Sequence, residues 1–332
     1  MIRLGGRGVC LPLAETSSWA SDAPARPAGT GTHRFTSWQG EGMAERMVEV
    51  PGGRVWTEVT GGGPGTPLLL LHGGPGIPSY YLDSLRDLGS ERPVILYDQL
   101  GCGRSEHPSS PEQYQAERFV QEVGDVRSAL GLERVHVLGQ SWGGMLTVMY
   151  ALTAPRGLVS LVLASPVIDS QRWVADCNKL KAELPAEVRH VIDDHEARGY
   201  QGCPEYAAAN LDWWRRHVCR IRPFPESLEK ALQGMNAECY ETMWGPSEFT
   251  CTGNLHDVEL SARLPEITSP VLFTCGRHDE ATPESTRHFA SLIAGAEIEV
   301  FQESSHMAHL EESDRFLGRV SRFLTEADAQ QP

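Results

Sequence analysis

The sequence predicts an α/β architecture: a mostly parallel central sheet flanked by helices, with an inserted α-helical segment. Three observations predict it. Short, wholly apolar runs such as Leu68–Leu71 alternate with stretches of helical periodicity, the pattern of parallel strands covered on both faces. A Gly-x-Ser-x-Gly motif, Gly139-Gln140-Ser141-Trp142-Gly143, lies between an apolar run and an apolar helix. The alternation then breaks over residues 167–245, which have helical character and no buried-strand run.

Each element follows in order. Residues 1–42 are rich in Gly, Ala, Ser, Thr and Pro without apolar period, and read as a disordered tail; Met43 and Met47 are alternative starts. The folded part is expected to begin near Met47, with a β-hairpin over residues 48–60 turning at Pro51-Gly52-Gly53. Strands follow at Leu68–Leu71, 93–97, 135–138 and 158–163, with a helix over 116–130 whose apolar residues are Phe119, Val120, Val123, Val126 and Leu130. After the helical segment the pattern resumes: strand 271–275, helix 283–293, strand Glu297–Phe301 and a closing amphipathic helix over 313–324. The expected organisation is a core of residues 43–166 and 246–328 carrying a helical cap of residues 167–245.

Composition bounds the function. A chain of 332 residues with 40% hydrophobic and 22% charged residues suits one α/β domain with an insertion. The net charge of −15 argues against nucleic acid or an anionic membrane surface as partner. No apolar stretch approaches the ~20 residues of a membrane span, and the N-terminus lacks a signal-peptide core. Eight cysteines include no Cys-x-x-Cys pair, so a cytoplasmic, reduced protein without a zinc site is expected.

Strand, Gly-x-Ser-x-Gly, helix is the nucleophile elbow of an α/β-hydrolase. Its glycines leave room for a sharp turn, and Ser141 stands at a helix N-terminus where the dipole favours negative charge. Such a serine needs an acid, a histidine and an oxyanion hole. Asp279 follows strand 271–275, at the strand end where open α/β sheets carry their sites; alternatively it is an ordinary loop or N-cap aspartate. His306 follows the next strand, in Ser304-Ser305-His306-Met307-Ala308-His309. His309 competes with it, but His306 lies nearer the strand end. Two backbone N–H groups are needed for the oxyanion. Trp142, after the nucleophile, supplies one; Gly74 in His72-Gly73-Gly74-Pro75-Gly76 supplies the other, with Gly73 as the alternative. The loop lacks the Gly-Lys-Ser/Thr ending of a phosphate loop. His72 has no suitably spaced partner for a metal, so no metal or other cofactor is expected. Arg104 is expected to brace the site by hydrogen bonding, and Cys102 to be structural.

These motifs, with Tyr97-Asp98-Gln99-Leu100-Gly101-Cys102-Gly103-Arg104-Ser105, Met243-Trp244-Gly245-Pro246-Ser247-Glu248-Phe249 and Gly276-Arg277-His278-Asp279-Glu280, resemble the proline iminopeptidase family of α/β-hydrolases. The match spans residues 47–324 and is closest to the branch with tricorn-interacting aminopeptidases and L-amino acid amidases. The resemblance implies Ser141 as nucleophile, His306 as base and Asp279 as its orienting acid. It implies that Glu248 and Glu280 hold the α-ammonium of a small peptide or amino acid amide, since charge-assisted hydrogen bonds suit a cation beside the scissile carbonyl. The function expected is cleavage of the amide after a free N-terminal residue. The alternatives are removal of an aminoacyl group from a secondary metabolite such as a macrolactam, and an esterase on the same fold. Gln140 and Trp142 occupy positions where the family varies, and Trp142 is expected to shape the acyl pocket.

Overall fold

The computed structural model describes residues 44–330, and the expectation for residues 1–42 lies outside them. Among the described residues, one eight-stranded sheet has the order β1-β2-β4-β3-β5-β6-β7-β8. The strands are β1 (Ala44–Val50), β2 (Gly53–Thr60), β3 (Leu68–Leu71), β4 (Val94–Tyr97), β5 (Val135–Gln140), β6 (Leu158–Ala164), β7 (Val271–Gly276) and β8 (Glu297–Phe301). The first two form the hairpin, antiparallel to each other, and β2 is antiparallel to β4; all later pairs are parallel. Strand β1 begins at Ala44, paired with Val59, three residues before the expected start at Met47. The alternation of the ladder, not the apolar content of Ala44-Glu45-Arg46, carries those residues.

Every residue of β3, β4, β5, β6 and β7 is buried, because helices cover both faces. These are α1 (Ala116–Ala129), α2 (Trp142–Ala151), then α3 (Ser170–Lys181), α4 (Ala186–Ala197), α5 (Pro204–His217), α6 (Glu226–Gln233) and α7 (Ala237–Met243) between β6 and β7, followed by α8 (Pro283–Ser291), α9 (Ala308–Glu311) and α10 (Ser313–Gln330). Truncating a leucine of β3 to alanine would cost about 2–5 kcal/mol, the usual range for such sites. The longest element without a counterpart in the sequence reading is the set of helical turns over Ser79–Ser90, which bury Tyr81, Leu82, Leu85 and Leu88.

The topology places the site. From β3 the chain moves outward to β4, then returns across β3 to β5. The C-terminal ends of β3 and β5 therefore flank the point where strand order reverses, the crevice in which open α/β sheets bind ligands. Register puts Leu71 beside Gly139, so the 72–76 loop and the Ser141 turn leave the sheet side by side.

Candidate active site

The elbow is tight for a reason the glycines make plain. A Cβ on Gly139 would lie 2.0 Å from the Gly143 carbonyl oxygen, and one on Gly143 would lie 2.1 Å from that of Leu71. Between them Ser141 takes φ 59°, ψ −120°, a backbone conformation that costs an L-residue about 1–3 kcal/mol. The Ser141 N–H donates to the Ala164 carbonyl (3.0 Å), and its own carbonyl accepts from Gly144 (2.9 Å). Both neighbours hold the turn, and the side chain makes no cap to α2.

The loops after β7 and β8 bring Asp279 and His306 together. His306 Nδ1 lies 2.8 Å from Asp279 Oδ1, so Nδ1–H donates and Nε2 is left to accept a proton. Asp279 also accepts from Ala281 N (2.8 Å), Gly276 N (3.1 Å) and Ser165 Oγ (2.6 Å). Ser141 and His306 line the same cavity. Burial opposes charge on His306, yet the carboxylates of Asp279, Glu280 and Glu248 raise its pKa to about 9. The competitor His309 instead faces away, with Nε2 3.1 Å from the Tyr81 carbonyl; burial lowers its pKa to about 4.

The loop after β3 distinguishes its two glycines. The Gly73 N–H is already committed to Tyr81 Oη at 2.6 Å. Gly74, at φ 109°, lies on the cavity wall with Ser141. Trp142 opens α2, so its N–H belongs to the unpaired first turn. The two imidazole nitrogens of His72 bond the backbone instead, Nδ1 to the Gly73 carbonyl (3.0 Å) and Nε2 to Gln99 N–H (2.9 Å), which fixes where this loop leaves β3. Arg104 bonds Asp98 and Ser79 and stacks on Trp56, locking the loop after β4. Cys102 is fully buried beneath it.

Glu248 and Glu280 come from different segments and line one cavity. Glu248 accepts from Tyr240 Oη (2.5 Å) and Trp173 Nε1 (3.0 Å); Glu280 accepts from Trp213 Nε1 (3.4 Å) and lies 3.8 Å from His306 Nε2. Their pKa values are raised by desolvation, and that of Glu280 further by the charge of Glu248. Two carboxylates lining one cavity, one of them raised by the other's charge, make a local environment that favours a cation.

Two spaces meet at Ser141. A cavity of about 710 Å³ carries both glutamates and His306. A smaller one, about 240 Å³, is walled by Trp142, Met145, Val167, Trp173, Trp244 and Leu255, with Glu248 at its edge. The Trp142 indole is largely core: Nε1 donates to Gln99 Oε1 at 2.9 Å, and the ring meets Phe119 edge-on. It forms a fixed floor for the small pocket. Of the aromatic residues in the helical segment, Trp173 and Trp244 line the small pocket and Tyr206, Trp214 and Tyr240 the large one.

Sequence reasoning missed Tyr81, Gln140 and Ser165. Tyr81 Oη donates to Gln140 Oε1 at 2.6 Å while holding Gly73 N–H. Gln140 Nε2 in turn reaches the His306 carbonyl at 3.4 Å. One hydroxyl thus joins the oxyanion loop, the elbow and the histidine loop. Tyr81→Phe leaves two buried polar groups unpaired, at roughly 1–3 kcal/mol. We expect kcat to fall about tenfold with KM little changed, because loop positioning acts on the transition state. Steady-state kinetics check this; an unchanged kcat would remove Tyr81 from the positioning network.

The comparisons with known proteins agree with this geometry. Residues 66–195 match the family model for the alpha/beta hydrolase fold. The chain is 43% identical over 282 residues to a proline iminopeptidase of Heyndrickxia coagulans, covering 84% of this chain and 98% of the relative. The crystal structure of a Mycobacterium smegmatis proline iminopeptidase superposes with TM-score 0.81 at 39% identity, covering 87% of this chain and all of that one. The crystal structure of VinJ does so with TM-score 0.83 at 35% identity, covering 86% and 99%. At this identity and coverage, the chain belongs to the proline iminopeptidase family of α/β-hydrolases and is an enzyme of the aminopeptidase class.

Proposed function

We propose that this protein is a serine aminopeptidase that releases an N-terminal residue bearing a free amine, proline or another small apolar residue, by way of an acyl-enzyme. The observation that carries the reading is the pair Glu248 and Glu280 facing the cavity that holds Ser141 and His306. An ester or a neutral amide needs no such pair; a protonated amine one carbon from the scissile carbonyl does. The acyl side chain is assigned to the small pocket, whose apolar wall suits a proline ring. Helices of residues 167–245 act as a cap, supplying Trp214 and Tyr240 to the cavity wall.

The steps follow from the residues. His306 Nε2 takes the Ser141 proton as Oγ attacks the carbonyl carbon. The N–H groups of Gly74 and Trp142 receive the developing oxyanion, and Asp279 stabilises the imidazolium. His306 then protonates the departing amine nitrogen. Water, deprotonated by the same imidazole, attacks the acyl-serine and frees the amino acid. The seven described cysteines are buried free thiols, in keeping with a cytoplasmic enzyme.

A panel of aminoacyl p-nitroanilides, each with and without an N-acetyl block, tests the proposal. We expect the free-amine substrates to be cleaved at least ~100-fold better in kcat/KM, the scale of a lost charge-assisted bond or more. Equal rates on blocked and free substrates would overturn the ammonium-binding role of Glu248 and Glu280.

A further inference from the structure

We infer that the site selects against a carboxylate beside the scissile bond: its substrates are longer peptides, or amides of neutral apolar amines, in preference to free dipeptides. The inference rests on the aminopeptidase reading and concerns what the leaving amine carries. With the ammonium at Glu248 and Glu280 and the acyl side chain in the small pocket, the leaving group must enter the remainder of the large cavity. The apolar lining of that cavity includes Ile77, Trp214, Val218, Leu228, Met235 and Met307, and its neutral polar groups include Asn210, Gln140 and Ser247. Among the described residues, the ionisable side chains lining that cavity are Glu248, Glu280, His306, Tyr81, Tyr206 and Tyr240; no lysine or arginine is among them.

A free dipeptide carries its carboxylate on the carbon next to the scissile nitrogen, so the charged oxygens lie within roughly 3–4 Å of that atom. In this cavity they would meet apolar side chains and lose water without gaining a cation. With His306 neutral, as the attack on the carbonyl requires, the fixed charges lining the cavity, Glu248 and Glu280, are of the same sign. One substrate ammonium cannot neutralise Glu248, Glu280 and Asp279 together while His306 is in its neutral, catalytically competent form, so the field at the leaving group stays negative. Converting the carboxylate to an amide removes both costs, and the new amide is a partner for Asn210. An apolar second residue adds burial against Leu228 and Met235.

The experiment compares Pro-Leu, Pro-Leu-NH2 and Pro-Leu-Gly as substrates of the full chain, with proline p-nitroanilide alongside. The amide and the tripeptide are expected to exceed the free dipeptide by at least about tenfold in kcat/KM, mainly through KM, as for one uncompensated charge in a partly enclosed site. Met235→Lys, which puts a cation on the half-buried part of that wall, is expected to narrow the gap by raising kcat/KM for the dipeptide, while the amide and the tripeptide lose some apolar burial. Equal or better cleavage of the dipeptide by the unaltered protein overturns the inference while leaving the aminopeptidase reading in place. A gap that Met235→Lys does not narrow, in a variant still active on the p-nitroanilide, overturns its electrostatic cause. Failure on all free-amine substrates overturns the reading itself and the inference with it.

Discussion

Replacing Ser141 by alanine is expected to lower kcat on proline p-nitroanilide by at least about 10⁴-fold, the scale on which a triad loses its nucleophile. The same variant should keep its fold. Ser141 Oγ caps no helix, the elbow is held through backbone bonds to Ala164 and Gly144, and alanine tolerates the turn about as well as serine. Circular dichroism and the thermal midpoint should therefore match the parent within a few degrees. Residual turnover near the parent rate would refute the nucleophile assignment; a collapsed spectrum would show that the hydroxyl carries structure.

Replacing Glu280 by glutamine is expected to have the next largest effect, and to act twice. It preserves shape but removes one of the two charges that face the substrate amine, so kcat/KM on free-amine substrates should fall about 100-fold. N-acetylated substrates should change far less. It also removes a carboxylate 3.8 Å from His306 Nε2. Catalysis needs the neutral imidazole. Burial opposes the imidazolium, but Asp279, Glu280 and Glu248 together hold its pKa at about 9. The kcat/KM of the parent should thus rise with pH through an ionisation near 9. Losing a negative neighbour disfavours the protonated ring, so the midpoint must move to lower pH in the variant. Measuring both profiles on one substrate keeps the titration of the substrate amine common to the two. A midpoint that stays in place or rises would contradict the assigned electrostatics.

The framework was legible because its signals are local. Leu68–Leu71 and the other buried strands announce themselves as apolar runs, and the flanking glycines of Ser141 report a steric demand of the turn itself. Asp279 and His306 could be placed because each lies one loop beyond a recognisable strand. Other parts leave no local trace. Tyr81 sits in helical turns without a motif, and its hydroxyl bonds a glutamine 59 positions away. Ser165, at φ 49°, reaches Asp279 across 114 positions. Such contacts arise only when several strand ends converge, and no periodicity encodes them. Gln140 illustrates the difference: read along the chain it is a variable position inside a motif, whereas in space it ties two loops together. The choice between Gly73 and Gly74 likewise depended on Tyr81, since sequence alone offers two equivalent glycines.

The strained backbone at Ser141 has a consequence for how such an enzyme can change over generations. A glycine at that position would relieve a conformation unfavourable by about 1–3 kcal/mol, yet it would remove the reactive hydroxyl. Selection for robustness and selection for turnover therefore pull on this one codon in opposite directions. Any lineage that drifts from catalysis toward mere binding has a stabilising exit available at position 141. Serine at position 141 carries that strain, as the proposed chemistry requires.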